Sequence, residues 1–156
     1  MLTGSFFDAK YKAADGVERN TRFNRNYVFN FLIGKEWRVG ANKNNLINTN
    51  IRLNYLAGNR IENIDLGKSL TQKEVVYGEN DGNLAFSQQL PDSPIVSFSF
   101  SYTKNKPKHS SVWSLQVVNA LGTEEYQKDF FNIKTMNMDT KYTRILVPNI
   151  SYRVDF

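Results

Sequence analysis

The one histidine, His109, and the absence of cysteine limit the chemistry open to this 156-residue chain. Without a thiolate there is no cysteine nucleophile, disulfide or Cys-built zinc site, and a single imidazole excludes HExxH and two-histidine metal centres. His109 leaves one candidate base for a Ser-His-Asp hydrolase, yet it stands in a Lys- and Pro-rich turn, KNKPKHS, with no G-x-S-x-G elbow. A solvated turn histidine is the simpler reading. The acidic run Glu79, Asn80, Asp81, Gly82 and Asn83 lacks the ligand spacing of an EF-hand loop and reads as a turn rather than a calcium site. Asn149-Ile150-Ser151 matches a glycosylation sequon inside a strand-like segment and is discounted. The sequence therefore assigns no catalytic residue, no cofactor and no metal ligand. Side chains suited to ligand contact gather instead between Gly58 and Asp92. There Tyr77, Phe86, Gln88 and Gln89 combine aromatic faces with amides, a pairing that suits an oligosaccharide or a peptide.

The composition is that of a folded chain, with 40% hydrophobic, 13% aromatic and 22% charged residues. The net charge of +5 is mild and comes without a long basic run, so no nucleic-acid partner is expected. Arg19, Arg22 and Arg25, and Lys104, Lys106 and Lys108, flank regular segments and read as solvated turns rather than phosphate contacts. No apolar run approaches the roughly 20 residues that a membrane helix needs. The opening residues, MLTGSFFDAK, read without the basic and apolar regions of an export signal.

Strand periodicity dominates the elements that must position these residues. From Val96 to Thr103, Val96, Phe98, Phe100 and Tyr102 alternate with Ser97, Ser99, Ser101 and Thr103. Ile47 to Tyr55 splits likewise, with Asn48, Asn50, Arg52 and Asn54 on the polar side. Leu146 to Phe156 does so again, and there Pro148 predicts a bulge or a strand that pairs only beyond it. Ser5 to Tyr11, Tyr27 to Trp37 and Val112 to Asn119 complete an expected all-β, antiparallel meander of about six strands, with residues 1–156 forming a single domain portion.

The connections alternate strictly in length. Residues 13–26, 57–93 and 120–141 are long, whereas 39–45 and 104–110 are short and rich in Asn, Gly, Pro and Lys. A transmembrane barrel has this asymmetry, with short periplasmic turns and long outer loops. Tyr27 and Trp37 share parity, and their ten-residue spacing at about 3.3 Å per residue and a tilt of about 45° corresponds to roughly 23 Å along a membrane normal. Tyr11, Tyr27, Tyr55 and Tyr142 fall beside long loops, and Trp37, Tyr102 and Trp113 beside short turns, so two aromatic girdles are expected. The lipid-facing set would include Phe29, Phe31, Ile51, Leu53, Phe98, Phe100, Leu115, Val117, Ile150 and Val154. The lumen-facing set would include Asn48, Asn50, Arg52, Asn54, Ser97, Ser99, Ser101, Ser114, Gln116, Ser151 and Arg153.

The carboxyl terminus, ISYRVDF, resembles the terminal signal of Gram-negative outer-membrane barrels, carried here by Ile150, Tyr152, Val154 and Phe156. More narrowly, the chain resembles the carboxy-terminal end of TonB-dependent receptors, in particular the SusC-like nutrient-uptake barrels. GKEWRVGANKNN (Gly34 to Asn45), LAGNRIENID (Leu56 to Asp65), KPKHSSVWSLQVVNALG (Lys106 to Gly122) and the closing ILVPNISYRVDF carry the likeness. Members of that family have an export signal, a plug domain, a TonB-contacting box and 22 barrel strands, and six strands are too few to close even the smallest bacterial barrel. The resemblance implies the last six strands of a larger importer of oligosaccharide, peptide or chelate in the outer membrane. Implied partners are the rest of the barrel and its plug, the barrel-assembly machinery, lipid and lipopolysaccharide, and a SusD-like lipoprotein, with TonB reached through the plug. The rival expectation is a soluble all-β binding module, for carbohydrate, whose apolar faces form a sandwich core. Replacing Phe156 by Ser is expected to lower assembly of the parent receptor; normal outer-membrane levels of the variant on an immunoblot would count against the terminal signal.

Overall fold

The computed structural model describes residues 1–78 and 84–156, so the acidic run from Glu79 to Asn83 lies outside the described residues. In chain order the strands are β1 (Leu2–Phe6), β2 (Lys10–Lys12), β3 (Glu18–Asn20), β4 (Tyr27–Val39), β5 (Asn45–Leu56) and β6 (Arg60–Ile61). A short helix, α1 (Leu66–Gln72), follows, then β7 (Gln88–Gln89), β8 (Ser93–Asn105), β9 (Ser110–Val118), β10 (Glu124–Asn132), β11 (Asn137–Arg144) and β12 (Val147–Asp155). Six of these form one antiparallel meander in the order β1-β4-β5-β8-β9-β12. The all-β meander expected from alternation is therefore present. It is an open sheet: β1 and β12 each pair on one side, and no closed barrel forms among the described residues.

Because neighbouring strands run antiparallel, every long connection emerges at one end of the sheet and every short turn at the other. The short turns use local backbone chemistry. Gly40 has φ +90° and Lys43 φ +54°, and the Lys43 amide closes on the Gly40 carbonyl at 3.0 Å. Asn45 ties this turn to the next one, since its Oδ1 accepts from the Asn105 amide at 3.0 Å.

Four expectations need correction. Ser5 to Tyr11 is not one strand: β1 ends at Phe6, and Tyr11 lies in the separate β2-β3 hairpin. Two successive aromatics, Phe6 and Phe7, break the alternation there, and Asp8 accepts from the buried Asn24 amide at 2.7 Å, drawing the chain off the sheet. The long connections are not plain loops, since they contain the two-stranded sheets β2-β3, β6-β7 and β10-β11 together with α1. Pro148 makes no bulge; it sits opposite Val117 in unbroken register, which is tolerated because β12 is an edge strand. Arg19 and Lys104 do not flank strands but lie within β3 and β8.

Helix α1 is held by its ends rather than by an apolar stripe. Asp65 caps it by accepting from the Lys68 amide at 3.0 Å, and the buried Ser69 hydroxyl accepts from the Val76 amide at 2.9 Å. Among the described residues Ala57 is the one fully buried apolar side chain. The main contacts between elements join neighbours within a sheet, apart from α1 against β11, and among the described residues no second layer covers the six-stranded sheet. Close backbone approach takes the place of a core where β5 leaves the sheet. A Cβ on Gly58 would lie 1.8 Å from the Leu90 carbonyl oxygen, so only glycine lets residues 57–60 pass Leu90 and Pro91. Gly58→Ala is expected to cost about 1 to 3 kcal/mol and to speed proteolytic cleavage between residues 60 and 90; an unchanged cleavage rate would show that this approach relaxes freely.

Candidate functional site

Strand register decides which side chains share a face. On one face, Leu2, Phe31, Leu53 and Val96 form a row, followed by Ile33, Ile51, Phe98, Val117 and Pro148. The next row holds Phe100, Leu115 and Ile150 beside Lys35 and Thr49. This band lies open, with Ile33 53% and Ile150 74% exposed.

Aromatic rows bound the band on both sides. Toward the short turns stand Trp37, Tyr102, Trp113 and Tyr152, in register with Ile47. The Trp113 and Tyr152 rings are 4.4 Å apart. Toward the long connections, Tyr27 and Tyr55 stack at 6.3 Å, next to Phe29 and Phe6. Five of the seven expected girdle aromatics thus sit in the sheet. Tyr11 and Tyr142 do not, because they belong to the β2-β3 and β10-β11 hairpins. Lys35 interrupts the apolar band, but its ammonium lies 5.5 Å from the centre of the Trp37 ring, so its stem runs toward the short-turn end.

The opposite face is polar. Gly34, Asn50, Ser99, Gln116 and Asn149 form one row, and Glu36, Asn48, Ser101, Ser114 and Ser151 the next. The Asn50 amide donates to Asn48 Oδ1 at 3.0 Å and Ser99 Oγ at 3.4 Å. Gly34 leaves room for that amide, since a Cβ there would meet Asn50 Oδ1 at 2.0 Å.

At the loop end, side-chain hydrogen bonds join segments far apart in sequence. Asp92 accepts from the Tyr27 hydroxyl at 2.6 Å and the Tyr55 hydroxyl at 2.8 Å. These two donors, with a smaller contribution from the Gly58 amide, hold the Asp92 carboxyl below its ordinary range. Arg60 donates to the Asn24 and Ser87 carbonyls at 2.9 and 3.2 Å and to Asn26 Oδ1 at 3.2 Å, clamping the first long connection to the second. Of the expected ligand-contact residues, Gln89 is committed to structure, donating to the Gly58 and Arg25 carbonyls, and Gln88 pairs with Ile61 in the β6-β7 ladder.

Tyr77 and Phe86 come together in a cleft of about 190 Å³ with Arg22, Arg60, Glu62, Tyr126 and Lys128. A second cleft of about 140 Å³, lined by Arg25, Asn59, Asp92, Glu125 and Tyr142, shares Tyr126 as a wall. Both fall below the roughly 300 Å³ at which small-molecule pockets begin, so each can seat one ring or side chain of a ligand without enclosing it. Burial raises the Tyr126 phenol well above its ordinary pKa, and its bond to Asp129 at 2.6 Å adds to this, so it stays a neutral donor. The sequence reading missed Arg60, Asp92 and Tyr126 as site residues, since Arg60 reaches Asn24 and Asn26 in another connection and Asp92 reaches Tyr27 and Tyr55 in the sheet, relations that local spacing does not contain. His109 approaches the terminal Phe156 ring at 6.4 Å, and no cluster of three or more His, Asp or Glu side chains among the described residues is placed to hold a metal ion.

No family model, curated protein or solved structure matches this chain.

The Asp92 clamp carries a pH signature. A lowered folded-state pKa gives stability that is complete above the ordinary carboxylate value of 3.8 and is lost as pH falls through the lower folded value. Asp92→Asn is expected to cost about 1 kcal/mol at neutral pH, with the Tm gap to the native chain closing as the pH drops below about 3.8. An equal gap at neutral and acid pH would rule out the charged clamp.

Proposed function

We propose that this chain is a wall segment of an outer-membrane, TonB-dependent transporter that imports oligosaccharide, peptide or chelate. The observation that carries this reading is an apolar band between two aromatic rows, on a sheet face that no other part of the described chain covers. In water such a face forfeits roughly 1.5 to 3 kcal/mol for each large side chain left unburied. Against acyl chains it is matched to its surroundings, and the aromatic rows meet the interfaces. A sandwich core would need a second sheet over that band, and the described residues supply none.

On this reading the strands are wall and not motor. The Asn, Ser and Gln face lines the lumen, where its amides and hydroxyls meet water or the receptor's plug, through which TonB acts. The open edges β1 and β12 are completed by other strands of the barrel, because unpaired backbone groups cannot face hydrocarbon. Ile150, Tyr152, Val154 and Phe156, on and just beyond the β12 edge, serve as the signal read by the assembly machinery. The long connections reach outward toward lipopolysaccharide, nutrient and a SusD-like lipoprotein lid. Nutrient contact falls to the paired clefts around Tyr126, reached by Tyr77, Phe86 and Tyr142.

Facing is the direct test. Phe98→Arg places a cation midway between the aromatic rows and is expected to cost about 2 to 4 kcal/mol near the membrane midplane. Ser99→Arg, one residue away on the polar face, is expected to change stability by less than about 0.5 kcal/mol. Heat-resistant folded protein in outer-membrane fractions reports both. Equal losses, or recovery of the native chain with the soluble fraction, would overturn the proposal.

A further inference from the structure

The charges on the six-stranded sheet are sorted by face. Its two acids, Glu36 and Asp155, both lie on the polar side, in register with Asn48 and Ser110. Arg38, Arg52 and Arg153 lie there too, opposite Leu46, Ser97 and Val112. The apolar face carries two cations, Lys35 and Lys104, and no acid within the strands. Both lysines belong to its short-turn half, are exposed, and form no ion pair among the described residues. At the other end of the same face the charged group is a carboxylate, Asp92.

We propose that the short-turn end of the apolar face binds the headgroups of anionic phospholipids through Lys35 and Lys104. This rests on the lipid-facing reading and adds to it a headgroup chemistry at one end. The order of groups along the face matches a phospholipid from tail to head: an aliphatic band, a row of Trp and Tyr, then ammonium groups. Lys104 lies two residues beyond Tyr102 in β8 and is already on the headgroup side of that row. Lys35 starts two residues inside Trp37, and its stem carries the ammonium to the Trp37 ring, where its centroid distance is 5.5 Å. In register Lys35 aligns with Phe100, two strands away and four residues before Lys104. At about 4.8 Å between strands and 3.3 Å per residue the two lysine backbones are therefore roughly 16 Å apart. That spacing suits two neighbouring headgroups rather than one phosphate. Among the described residues, no strand side chain on this end of the face carries a carboxylate.

The chain's two tryptophans, Trp37 and Trp113, both stand in the aromatic row between band and headgroups, so intrinsic fluorescence reports on this site. The purified chain is titrated with phosphatidylcholine vesicles and with equimolar phosphatidylglycerol and phosphatidylcholine vesicles at one ionic strength. The blue shift is expected at roughly tenfold lower lipid in the phosphatidylglycerol vesicles. The double variant K35Q/K104Q is expected to lose most of that preference, and K35R/K104R to retain it. R38Q/R153Q, which removes the same charge from the polar face near the same turns, is expected to leave it unchanged. Equal midpoints for the native chain, or an equal loss in R38Q/R153Q and K35Q/K104Q, would overturn the headgroup site while leaving the lipid-facing band in place. No blue shift with either vesicle would overturn the headgroup site, while the lipid-facing band is tested separately by the arginine variants in outer-membrane fractions.

Discussion

Everything in this molecule depends on side chains alternating across a single pleated layer. Each strand of the meander places its apolar residues on one side and its amides and hydroxyls on the other, and register aligns those sides into continuous faces. In a soluble fold the apolar side would be covered by a helix or a second sheet. Here one fully buried apolar side chain, Ala57, is all the core that the described residues have. Among the described residues, stability has to come from the ladders and from hydrogen bonds at the loop end.

The two ends of the sheet solve different problems. At the short turns the chain reverses within a few residues, using left-handed Gly40 and Lys43 and the Asn45 link between neighbouring turns. At the other end polar groups tie the inserted segments down: Arg60 on carbonyls of the first two long connections, Asp92 on two phenols of the sheet, and Asn119 within the third connection. The Asn119 amide donates to the Thr123 and Ile145 carbonyls at 2.9 and 3.0 Å, closing the base of the β10-β11 hairpin. Bonds of this kind contribute about 1 kcal/mol each when solvent can compete. A loop region built from them opens more readily than the ladders below it.

Five of the six sheet strands were legible because period-2 patterning needs only neighbours in the chain, whereas β1 overlaps the expected Ser5 to Tyr11 at Ser5 and Phe6 alone. The inserted elements were not legible. β10 reads EEYQKDFFN with no alternation, since neither of its sides faces a core, and it is defined by pairing with β11 through a register shift near Tyr126. Helix α1 has seven residues, too short for its own propensity to declare it, and rests on the Asp65 cap and the Ser69 hydroxyl. Tyr11 and Tyr142 look like girdle residues because parity near a strand end says nothing about where that strand stops. Lys104 looked like a turn residue because β8 outlasts its Phe and Ser alternation by two residues.

By itself, then, the sequence determined the all-β class, the meander of about six strands, the two chemically opposite sides and the alternation of long and short connections. These follow from local properties: side-chain size, Cβ direction and turn residues within a few positions of one another. Only the tertiary structure decided that Tyr152 joins Trp37, Tyr102 and Trp113 in one row, and that Lys35 leans into it. It also brought Asp92 to Tyr27, 65 residues away. Such relations are set by ladder register and by polar groups seeking partners across long stretches of chain, and the pattern within one strand does not contain them.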